Sequence, residues 1–209
     1  KQQQLSQLAV SKEQGVLSWQ ELQNLPRELN KTGLQVKVSG EVNKQQYWLL
    51  DNQIYQGQVG YDLLVAMTIA GETAPLIVNF GWLKAPTNRS HLPTVVWPES
   101  TSFTATVQLK QGNLQGFTLA DEIGAEQGWP KRIQGIDLAI FSAQLAKPLQ
   151  DFIGYRNEAD GIATPHYQSV VMGPDKHYAY AVQWLLIGLA CVVIAYFAMR
   201  RRGYENKPA

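Results

Sequence analysis

An uncharged run of 22 residues, YAYAVQWLLIGLACVVIAYFAM from Tyr178 to Met199, constrains this chain more than any other feature. As a helix rising about 1.5 Å per residue it would extend roughly 33 Å, enough to cross a hydrocarbon core of about 30 Å. A core helix rarely stays uncharged on every face for such a length. Tyr178, Tyr180 and Trp184 stand near one end and Tyr196 near the other, as in an interfacial aromatic belt. Arg200, Arg201 and Arg202 follow at once, and the positive-inside rule puts that end in the cytoplasm. Three parts are therefore expected: an extracytoplasmic domain over 1–177, a transmembrane helix over 178–199 and a basic cytoplasmic tail over 200–209.

The rest of the chain agrees with an outer domain. The tail holds four basic residues and one acidic one, and the remaining 14 basic and 16 acidic residues leave the outer part at −2. The whole chain carries only +1, so no basic excess marks a nucleic-acid binder. The one cysteine, Cys191, falls inside the apolar run, so the outer part has no thiol to form stray disulfides in an oxidising compartment. A single cysteine also excludes an internal disulfide framework, a four-cysteine zinc site and a paired-cysteine copper or redox motif. Export of such a domain needs its own signal, and KQQQLSQLAV lacks a long enough apolar core to be one. A further membrane span before Lys1, absent from this sequence, is expected.

Along the outer part, Ser18 and Glu21 have the spacing of a capping box, followed by a short helix that stops near Pro26. Leu34–Val42 alternates apolar and polar residues, the period of a half-buried strand. YWLLDN reads as the next strand, and GYDLLVAMTIAG as another. Pro75–Leu83 is almost continuously apolar, as expected of a strand covered on both faces. Pro86, Pro93 and Pro98 make the following segment a surface loop, and SFTATVQL alternates again. Between Pro130 and Pro148 the period changes: Ile133, Ile136, Ile140 and Phe141 recur at helical spacing. LQDFIGYRNEADG reads as strand and turn, and HYQSVVMG as a last strand. The expectation is an α+β domain, β-rich, antiparallel and barrel-like, with one or two helices.

Catalytic chemistry is hard to find. His91, His166 and His177 are scattered and form no metal-ligand spacing, and no nucleophile elbow is present. Gly57 and Gly60 read as turn glycines, and Asp121 and Glu122 as solvated loop charge. Asp62 lies between aromatic and apolar neighbours and reads as half-buried, with no acid or base to pair with. His177 stands in GPDKHYAYAVQW, directly before the apolar run, where a neutral imidazole could ligate a haem iron or simply face headgroups beside Lys176.

The segments DKHYAYAVQW, GYDLLVAMTIAGETAPLIVNFGW and YWLLDNQ together resemble the surfeit locus protein 1 family, over about Trp19 to Tyr196. The most specific pieces are V-N-x-G-W, at Val78–Trp82, and H-x-x-Y-A-x-x-W, at His177–Trp184; GWPKRIQGIDL resembles bacterial members. Phe80 departs from the family's commoner V-N-R-G-W, which puts any contact of that arginine in doubt. The resemblance implies two membrane helices flanking one outer domain, and a non-enzymatic assembly factor of haem-copper cytochrome c oxidase. It implies haem a as transient cargo for oxidase subunit I, with His177 as axial ligand; Tyr178 and Trp184, next along the sequence, are expected to line the site. Subunit I, haem A synthase and membrane lipid are the expected partners, with no nucleic acid. The expected location is a bacterial inner membrane with the main domain periplasmic. Lys176, Arg156 and His166 are candidates to meet haem propionates. The rival reading is a protein scaffold that stabilises subunit I without binding haem, offering exposed Trp97 and Trp129. An enzyme acting on lipid or peptidoglycan would need a catalytic pair that the sequence does not supply.

Overall fold

The structure is a computed structural model that describes residues 15–112, 114, 128–167 and 181–195. The chain divides into two compact units, Lys1–Tyr167 and Gln168–Ala209. In the first, a three-residue strand β1 (Val16–Ser18) leads into helix α1 (Trp19–Gln23). Ser18 and Glu21 close the expected capping box, each side chain bonding the other's backbone amide. Five main strands follow: β2 (Gln35–Tyr55), β3 (Gln58–Ile69), β4 (Leu76–Lys84), β5 (Ser102–Gln111) and, after strand β6 (Lys131–Ile133) and helix α2 (Leu138–Leu145), β7 (Phe152–Arg156).

These strands bond in the order β2–β3–β4–β7–β5, and β5 pairs again with β2, so the sheet closes on itself as a barrel. The expected barrel is present, but the sheet is mixed. β4 and β7 run parallel, as do β1 with β2 and β6 with β2. Parallel pairing needs a long crossover, and the chain between β5 and β7, which carries β6 and α2, provides it. The two strands read between Leu34 and Asn52 are one strand, β2, bent by register shifts between Val42 and Tyr47 and between Leu50 and Gln53. Bulges let a single long strand pair with β5 over its first half and β3 over its second.

Alternation sorts the side chains onto two faces. Val36, Val38, Leu63, Val65, Val78, Phe80, Val107 and Leu109 fill the interior. Trp48, Leu64, Ile77 and Ile153 point outward and are buried under Ile133, Ile136 and Phe141. Burial on both faces explains the continuous apolar run of β4. The helix in this region is shorter than its periodicity suggests. It begins at Leu138, where the Asp137 side chain accepts from the amides of Ala139 and Ile140, and it ends on Ala146 in the left-handed region. Ile133 and Ile136 precede it, in β6 and the irregular segment after it, yet they cover the same outer patch. The strand read into HYQSVVMG is not seen at His166 and Tyr167, and its remainder lies outside the described residues.

In the second unit, residues 181–195 are helical and every one of them is exposed. Among the described residues no helix is long and apolar enough to cross a membrane. The expected span over 178–199 extends beyond the described helical residues at both ends.

Candidate functional site

The polar centre of the barrel lies on the outer face of β3 and β4. Asp62 is buried, with 4% exposure, and both its carboxylate oxygens are engaged. The amide nitrogen of Asn79 donates to Oδ2 at 2.7 Å, and His166 Nε2 sits 2.6 Å from Oδ1. Asn79 is itself held, since its Oδ1 accepts from the Gly81 amide at 2.8 Å. The hydrogen bond to Asp62 holds the His166 imidazole toward its charged form, against an opposing effect of burial. A buried carboxylate needs such a partner, because an isolated charge in a low dielectric is costly.

Asp62 corrects the sequence reading. It is nearly fully buried rather than half-buried, and it has a basic partner 104 residues further along the chain. Sequence spacing could not reveal a pair so distant. The available signal was an acidic residue inside an otherwise apolar strand, and only a folded barrel identifies its partner.

His166 belongs to a strap, residues 162–167, that buries Ile162 and Ala163 in the inner cluster and pairs with the barrel wall at Thr164. Trp82 and Thr164 exchange both backbone hydrogen bonds, at 2.7 and 2.9 Å. Tyr167 stacks on Tyr155 of β7 with ring centroids 3.6 Å apart. Burial pushes both phenols upward, so neither ionises near neutral pH. Tyr55 packs edge-on to His166 and against Trp82. Gly81 makes the close approach possible. Its φ is +120°, and a Cβ there would lie 2.4 Å from the Thr164 carbonyl oxygen. Phe80, beside it, is the unpaired residue of a register shift between β3 and β4.

Other candidates fall differently. Phe80 is fully buried, and the Arg156 guanidinium lies 4.7 Å over its ring. Arg156 is 5% exposed and paired with Asp160, so it is not a surface group for propionates. His166 is likewise committed to Asp62. Trp97 and Trp129 are not exposed platforms: Trp97 packs against Tyr47, Phe80 and Phe103, and Trp129 against Trp48. Gly57 is a turn glycine with φ +74°, whereas Gly60 is needed in a strand because a Cβ there would strike Trp82 and the Leu83 carbonyl. His91 is exposed in the loop after β4. Among the described residues no group of three or more His, Cys, Asp and Glu could hold a metal ion. Trp184 stands in the helical stretch and is 70% exposed, while His177, Tyr178, Lys176, Asp121 and Glu122 lie outside the described residues.

The described site is a closed barrel with its outer wall strapped by a following segment. The SURF1 family model matches residues 1–189, and the chain belongs to the SURF1 family. That family is known for cytochrome oxidase assembly and consists of assembly factors rather than enzymes. No curated protein matches the chain.

Proposed function

We propose that this chain is a membrane-anchored assembly factor of cytochrome c oxidase that binds or hands over haem a for insertion into subunit I. The carrying observation is the extent of the family match. Residues 1–189 include the whole barrel and the segment bearing His177, Tyr178 and Trp184. The exposed apolar side chains of 181–195, among them Val182, Leu185, Leu186 and Ile194, support a bilayer as the environment of that segment. The barrel then lies on the periplasmic side and the arginine-rich tail in the cytoplasm.

The chemistry follows from the cargo. Haem a carries a long apolar tail, so transfer within the bilayer avoids exposing that tail to water. A neutral His177 imidazole at headgroup level can ligate the iron, and a single axial ligand suits release to subunit I. Tyr178 and Trp184 supply apolar ring area; Trp184 stands seven positions after His177, a spacing that a continuous helix would bring to one face. Membrane lipid and haem A synthase complete the set of proposed partners.

A deletion strain tests the role. The chain, joined to a membrane span at its N-terminus, is expressed in bacteria that lack their own family member. Restoration of the oxidase haem a absorbance is expected. Membrane-inserted protein that restores none contradicts the proposal.

A further inference from the structure

The most specific outer-domain motif, V-N-F-G-W at Val78–Trp82, has no task in the haem chemistry above, yet four of its residues have defined partners. Asn79 fixes Asp62, and Asp62 holds His166. Phe80 is buried beneath Arg156, whose partner Asp160 also accepts from the Ile162 amide at the start of the strap. Gly81 leaves the space into which the Thr164 carbonyl fits, and Trp82 bonds the Thr164 backbone in both directions. Each contact is made to, or through, the segment 160–167.

We infer that this motif is a positioning seat: it fastens to the barrel the strap that precedes His177 in the sequence. Asn79, Gly81 and Trp82 are positioning residues, acting through Thr164 and His166. The functional consequence rests on the haem a reading above, while the seat itself stands on geometry alone. The groups facing His166 are Asp62 from β3, Asn79 from β4, Tyr55 from β2, and Tyr155 with Tyr167 beyond. The two stacked phenols stay neutral near pH 7, and Asp62 is the acidic group in direct contact with His166, its Oδ1 2.6 Å from Nε2. The seat therefore grips most firmly while the imidazole is protonated.

Hydrogen exchange of the full chain in detergent, followed by mass spectrometry across pH 5.5 to about 9, tests this. In His166→Gln the amides of 162–167 are expected to lose about tenfold in protection at acidic pH, with Leu63–Val65 unchanged. In the native chain strap protection falls as pH rises through the His166 titration; in His166→Gln the profile is flat. Gly81→Val should free the strap at every pH, and His166→Gln keeps the test decisive if Gly81→Val does not fold. Unchanged strap protection in folded His166→Gln, or a flat native profile, overturns the seat. The same preparations are scored for haem a. Loss of haem a from variants with a freed strap supports the positioning role, and full retention overturns it. A native chain that carries no haem a while its strap behaves as described contradicts the cargo reading and leaves the seat standing.

Discussion

The inside of the barrel and the strap on its outer wall rest on opposite faces of the same strands but are held by different forces. The interior is apolar and non-directional; Val36, Leu63, Val78 and Val107 need only fit together. The strap buries Ile162 and Ala163 in that same apolar cluster, but its remaining residues are held by directed contacts: an ion pair, two backbone hydrogen bonds, a ring stack and a close approach over Gly81. Stability in the first is spread over many residues. In the second it is concentrated, so single substitutions and pH should reach it without unfolding the barrel.

The largest expected effect breaks the barrel itself. Trp48 is fully buried, stacks on Phe141 at 4.3 Å and donates to Gln144, so Trp48→Ala should cost about 3–5 kcal/mol. Urea unfolding should show a large fall in midpoint. A small fall would mean that α2 is not integral to the wall. Asp62→Ala comes next, at about 1–3 kcal/mol, because it takes the acceptor from the Asn79 amide nitrogen and the acidic partner from His166. Asp62→Ala together with His166→Gln should cost clearly less than the two single losses added, and strict additivity would deny the coupling. The smallest expected effect is at the N-terminal cap, where Ser18→Ala should remove about 1 kcal/mol by releasing the Glu21 amide.

The pH dependence sharpens the same contrast. Because Asp62 raises the His166 pKa, the stability this pair contributes is fully present below the ordinary histidine value of about 6.5 and is lost as pH rises through the higher folded value. Native protein should lose this increment as pH rises above about 6.5, and Asp62→Asn should remove most of that slope. A stability profile that rises with pH over this window would contradict the sign.

The two regions also differed in how far sequence could reveal them. The apolar alternation of β2, β3 and β5 and the covered run of β4 follow from a local period, so the β-rich barrel was legible. The parallel pairing of β4 with β7 was not, because register between distant strands leaves no mark on either one. The helix α2 was placed too early because Ile133 and Ile136 serve its outer patch from a strand and the irregular segment after it, mimicking helical spacing. The strap was invisible for a related reason. His166 looked like one of three scattered histidines, Asp62 like an unpaired carboxylate and Gly60 like a turn, until folding joined them to Trp82 and Asn79. Family resemblance pointed to V-N-F-G-W without giving its task; Phe80 shows why the departure is tolerable here, since an aromatic ring in the interior provides a face for Arg156.

The central claim is that haem a is carried through His177. Its most direct measurement is the visible spectrum of the chain, purified in mild detergent from cells that make haem A, beside that of His177→Ala. The account predicts a red-shifted haem a band in the native protein that disappears in the variant. A band that persists undiminished in His177→Ala, or no band in folded native protein that still associates with subunit I, would contradict it; the second result would leave a scaffold for subunit I in its place.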